Sequence, residues 1–172
     1  ASELAHKTSD FDKYARGHAT VYRHTMFRGL VALEMARRTN SKAHRRRGDN
    51  AIKKLRKWVT AGNVNCLSML HLLEAENATL QPESKARQED IRKKFDLAIS
   101  TAGRNGVQHD KALACERAGI FLILVGDDFW ASHYLRSAVR DYEHWGAMGK
   151  VQHLKENFSH VIDKNAGGNE SW

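Results

Sequence analysis

Proline occurs once in the 172 residues, at Pro82, and cysteine twice, at Cys66 and Cys115. A single proline excludes collagen and proline-rich linkers and leaves helices free to run almost anywhere. Two cysteines exclude a small scaffold built on disulfides. Long apolar runs are missing as well: the longest, 118–125, stops at Gly126, Asp127 and Asp128, well short of the about eighteen residues a membrane-spanning helix needs. Residues 1–10 hold Glu3, Lys7 and Asp10 with no apolar core, so they do not read as a secretory signal. Both thiols sit in apolar helical contexts with no ligand pattern beside them. The expectation is one globular, intracellular (cytoplasmic) chain with reduced cysteines.

Acids are scarce in one place only. The chain has 28 Lys and Arg against 20 Asp and Glu, a formal +8. The stretch 37–57 holds Arg37, Arg38, Lys42, Arg45, Arg46, Arg47, Lys53, Lys54, Arg56 and Lys57 with Asp49 as its single acid, which is +9, so the remainder sums to −1. The basic character belongs to one element. A solvated helix face accounts for such a run, and so does a surface for nucleic acid, anionic lipid or an acidic protein.

What is abundant is helix former: alanine, leucine, lysine, arginine and glutamate. The pattern predicts about seven helices: about 8–38, with Ser9 and Asp12 placed as a capping box and a break near Gly17 or Gly29; 46–60, ending at Gly62; 65–79; 83–102, with Pro82 in its first turn and Gly103 at its end; one from about 109 to 125; one capped by Asp127 or Asp128 and ending at Trp145 and Gly146; and 148–161. Residues 1–9 are expected to be flexible and 163–172 disordered.

A period emerges across these helices. Ala51, Leu55 and Trp58 are followed forty residues on by Ile91, Phe95 and Ala98, and forty further by Ala131, Leu135 and Ala138. Each set places one apolar face on a helix that a partner must cover, and pairs that cannot bury both faces alone stack. The stretch 112–125 is apolar around nearly its whole circumference, with Lys111, Glu116 and Arg117 left to meet water, as suits an inner helix. The fold class that follows is all-α, antiparallel helix pairs at 10–61, 64–103 and 109–146 with a capping helix 148–162, forming a single domain.

The last pair resembles the tetratricopeptide repeat, which places a glycine or alanine late in its first helix and an alanine, a large residue and an alanine in its second. Gly119, Ala131, Leu135 and Ala138 occupy those positions. The forty-residue period departs from the thirty-four of that family, which points to longer loops. The resemblance implies stacking as a right-handed solenoid. Phe27 to Leu33, Phe95 to Ile99, Asn105-Gly106, Lys111 to Ala114 and the distinctive Tyr142-Glu143-His144-Trp145-Gly146-Ala147-Met148-Gly149-Lys150-Val151 are similar to the helical region of large multidomain signalling proteins. In those a kinase-like domain and an AAA-type ATPase domain precede the helices, and sensor and histidine kinase domains can follow. The resemblance covers about 20–158 and implies a regulatory or scaffold segment, with catalysis elsewhere in a longer polypeptide.

Chemistry-bearing motifs do not assemble. There is no phosphate-binding loop, since Gly146, Gly149 and Lys150 have the wrong spacing, and no kinase catalytic loop or paired-histidine zinc motif. The ten histidines lack same-face partners at metal-ligand spacing. The expectation is therefore a non-enzymatic module without cofactor or metal that binds another protein or another domain of its own chain. Its inner helices would present His71, Glu74, Glu116 and Arg117 to that partner. The alternative is RNA or another polyanion held by Arg37, Arg38, Arg45, Arg46, Arg47, Lys53, Lys54 and Lys57, without base stacking because no aromatic is interleaved among Arg37 to Arg56.

Overall fold

The computed structural model describes residues 20–81 and 84–163. Among these it is all-α: α1 Thr20–Thr39, α2 Lys42–Thr60, a 3₁₀ turn Val64–Cys66, α3 Leu67–Ala78, α4 Lys85–Arg104, α5 Gln108–Leu124, α6 Asp128–Trp145 and α7 Met148–Ile162. The expected onset at Ser9 to Asp12, the break at Gly17, the flexible 1–9, Pro82 and the tail from 164 onward lie outside the described residues. No described helix is long and apolar enough to cross a membrane. The chain divides into two compact units between Glu83 and Ser84, a boundary inside the span 64–103.

In the first unit α1, α2 and α3 pack on one another. Met26, Leu33, Leu55, Cys66, Leu72 and Leu73 are buried in its core. Gly29 does not break α1. It is buried mid-helix because a Cβ there would come within 2.6 Å of Leu73 Cδ1 and 2.9 Å of Ala51 Cβ, so this glycine lets α1 approach α2 and α3 closely. The basic helix starts four residues earlier than its pattern suggests. The α1–α2 connection is only Asn40, at φ 50, and Ser41, so Lys42 and Arg45 are helical.

In the second unit α4, α5, α6 and α7 pack each on the next. Ser84 caps α4 by accepting from Arg87 N, and Asp127 caps α6 by accepting from Trp130 N at 3.2 Å. Gly103 lies inside α4; the turn is made instead by Gly106, at φ 67. Phe95 and Phe121, 6.1 Å apart, anchor α4 to α5. Of the nine residues at the forty-residue period, eight are buried and Trp58 is half-buried. Trp58 sits on the flank of α2, edge-on to Tyr22 with centroids 4.8 Å apart. The expectation that α5 meets water only through Lys111, Glu116 and Arg117 needs correction. Glu116 is buried, while Leu113, Ile120 and Ile123 are half-exposed and Leu124 is exposed.

Candidate interaction surfaces

The side of α2 that faces the core carries Gly48, Ala51, Ile52 and Leu55, all buried. At 100° per residue that fixes the opposite side as the home of most of the cations. Lys42, Arg45, Arg46, Arg47, Lys53, Arg56 and Lys57 are all exposed. Arg56 donates to Glu74 of α3 at 2.6 Å. Lys54 lies on the Trp58 flank, its ammonium 5.2 Å from the ring centroid, and burial lowers its pKa from the ordinary lysine value.

Two members of the expected cationic set belong to the fold. Arg37 ties α1 to α3: its guanidinium donates to the fully buried Glu76 carboxylate at 2.9 Å and to Thr79 Oγ1 at 2.6 Å, and it also pairs with Glu34. A buried carboxylate demands such a partner, so Arg37 is spent inside the unit. Arg38, exposed, holds Glu34 at 2.7 Å. Lys42 and Arg56, absent from the sequence-derived set, join the outward face. Their helical offsets from Arg46 and Lys53 would have revealed it.

The second unit uses charge in the opposite way. Glu116, expected at the surface, is 6% exposed. One of its carboxylate oxygens accepts from Tyr142 Oη and the other from Lys150 Nζ, both at 2.6 Å. One acid on α5 thereby clamps the end of α6 to the start of α7. Lys150 also lies 5.5 Å over the Tyr142 ring. Burial, reinforced by the Glu116 charge and hydrogen bond, pushes the Tyr142 phenol well above its ordinary pKa. Between these helices Gly146 takes the left-handed conformation at φ 82, and Ala147 N donates back to Tyr142 O at 2.9 Å. The distinctive Tyr142 to Val151 stretch is thus a helix joint. Trp145, the last residue of α6, faces outward. It is 54% exposed, with its ring 5.1 Å from that of His109.

A second buried acid repeats the device. Asp141 accepts from Gln108 Nε2 at 2.6 Å and Lys111 Nζ at 3.1 Å, joining α6 to the first turn of α5. Tyr134 donates to Asp96, joining α6 to α4, and Arg92 of α4 sits 4.3 Å over the Trp130 ring. Both thiols are inert at neutral pH, since burial pushes Cys66 up to about 11 and Cys115, with Asp141 adding to the effect, up to about 12. His71, Glu74 and Arg117 are half-exposed, Glu74 being the acceptor for Arg56. Among the described residues no group of three or more His, Cys, Asp or Glu is placed to hold a metal ion.

Among the described residues the fold is all-α, with buried acids that clamp helices together in the second unit and an exposed cationic face on α2 in the first. Comparison with protein-family models, with curated proteins and with solved structures returns no match.

Proposed function

We propose that the chain is a non-catalytic helical-repeat module that binds another protein or another domain of the same polypeptide, as a regulatory or scaffold segment of a larger signalling ATPase or kinase. In this reading the helices form tetratricopeptide-like pairs stacked as a solenoid. The observation that carries it is the closure of the α5–α6 hairpin. Gly119, Ala131, Leu135 and Ala138, the four positions of the resemblance, are all buried, and Leu135 fills the space over Gly119, where a Cβ would come within 2.7 Å of Leu135 Cγ.

α5 also leaves Leu113, Arg117, Ile120 and Leu124 on one exposed or half-exposed side, at helical spacings of four, three and four. An apolar stripe with one cation is the kind of surface a partner helix covers. Crosslinking of the natural full-length protein should place contacts on Arg117 and its neighbours. The double variant R117E/L124D should weaken capture of the crosslinked partner about tenfold or more while leaving helical circular dichroism intact. Undiminished capture by that variant would overturn the proposal.

A further inference from the structure

The outward face of α2 has an internal repeat. Lys42, Arg45 and Arg46 recur eleven residues later as Lys53, Arg56 and Lys57. In an α-helix eleven residues rotate by about 20° beyond three full turns and rise by about 16 Å. The second triplet therefore lies on the same face as the first, displaced along the axis. All six side chains are exposed; Asp49, half-buried, and Asn50 lie between them on that side, with the exposed Arg47 toward the flank. Arg56 is paired with Glu74. The other five make no ion pair among the described residues, so the face carries a surplus of positive charge in two clumps.

We propose that this face binds the phosphodiester backbone of double-stranded DNA without regard to sequence, α2 lying across a groove with one triplet on each phosphate row. The spacing selects this occupant. The major groove of B-form DNA is about 12 Å wide between its walls, and the phosphates of each wall add their own width, which brings the two rows into register with clumps about 16 Å apart. Affinity comes from release of condensed counterions, which suits lysine and arginine heads that are free and solvated.

Other polyanions fit less well. A single strand needs aromatic platforms, and the one Trp, Phe or Tyr of α2, Trp58, is turned to the flank against Tyr22 and under Lys54. A membrane surface would draw in an amphipathic helix by its apolar side, and that side of α2 is buried within its own unit. Ion pairs to an acidic protein surface in water contribute little each. The inference does not depend on the partner assigned above, which uses α5.

Fluorescence anisotropy of the full 172-residue chain with a labelled duplex of two helical turns tests it. Between about 50 and about 200 mM salt the logarithm of affinity should fall against the logarithm of salt with a slope of about −4.5, the value for five neutralised phosphates. K42E/R45E/R46E and K53E/K57E, all at exposed positions, should each keep the helical dichroism of the parent. Each should weaken binding about tenfold or more and flatten the slope by about three and about two. The exchange N50K/K53N keeps the net charge but moves one cation between the rows, and should flatten the slope by about one. Equal binding of duplex DNA by parent and triplet variants would overturn the site. An unchanged slope in N50K/K53N would overturn the two-row geometry. Single-stranded DNA, duplex RNA, heparin or phosphatidylserine vesicles bound as tightly as duplex DNA would overturn the occupant.

Discussion

α2 in the first unit and the α5–α6–α7 joint in the second are made of the same kinds of residue and use them in opposite ways. On α2 the cations cluster on the side away from Ile52 and Leu55, and five of the six in the two triplets make no ion pair among the described residues. At the joint, Glu116 and Asp141 are buried and each accepts from two donors on other parts of the unit. The contrast teaches where charge serves stability. A dense run of like charge must remain solvated, since taking it inside would cost several kcal/mol per unpaired ion. A lone buried acid is tolerated there because each one is met by two donors from other elements.

Four measurements would break or sharpen that contrast. The largest effect is expected in the core of the second unit. Phe95→Ala, at a side chain with no exposure, should cost about 3–5 kcal/mol. Hydrogen exchange should report lost protection in α4 to α6 and leave α1 to α3 unchanged; equal loss in both units would show that they unfold as one.

Next comes the clamp. Glu116→Ala leaves the buried Tyr142 hydroxyl without its acceptor and Lys150 without its partner, and should cost about 2 kcal/mol by urea denaturation. The figure is moderate because the Lys150 side chain is 40% exposed and can turn to water. A loss below about 0.5 kcal/mol would reduce the joint to an ordinary surface pair.

The thiols give a smaller effect with a defined sign. Their pKa values are raised in the fold, so the folded chain holds those protons more firmly than the unfolded one. The associated stability is whole below the ordinary thiol pKa of about 8.5. It drains away as pH rises toward about 11 for Cys66 and about 12 for Cys115. Raising the pH from 8 to about 9.3 should lower stability by about 1 kcal/mol per thiol, and C115A should remove its share of that slope. A slope unchanged in C115A would show that Cys115 is not the group being titrated. The smallest effect is expected on α2: Arg46→Ala should shift stability by no more than about 0.5 kcal/mol in either direction. A larger loss would mean that the cationic face has a folding role after all.

Much of this could be read in the chain. Apolar periodicity located the helices, the forty-residue spacing picked out eight residues that are buried, and Asp127 was one of the two residues expected to cap α6. The cationic element was evident from composition alone. The misplacements came where a residue's role depends on what lies across from it. Arg37 looked like one more cation of the run, but Glu76, thirty-nine residues away, claims it. Glu116 looked like the wet stripe of α5, yet Tyr142 and Lys150 arrive from two other helices to enclose it. Gly29 resembled a helix break and proved to be a place where helices touch.

By itself the sequence determined the all-α class, the approximate helix boundaries and the inward side of α2, α4 and α6, because these depend on neighbours three or four residues away. It also set the charge of the α2 surface, since eight cations with one acid in a single helix cannot all be hidden. Only the tertiary structure decided which charges are free and which are clamps, and which glycines are contacts. Those outcomes rest on distances of a few ångströms between residues about 16 to 44 positions apart in the chain, and no local pattern fixes them.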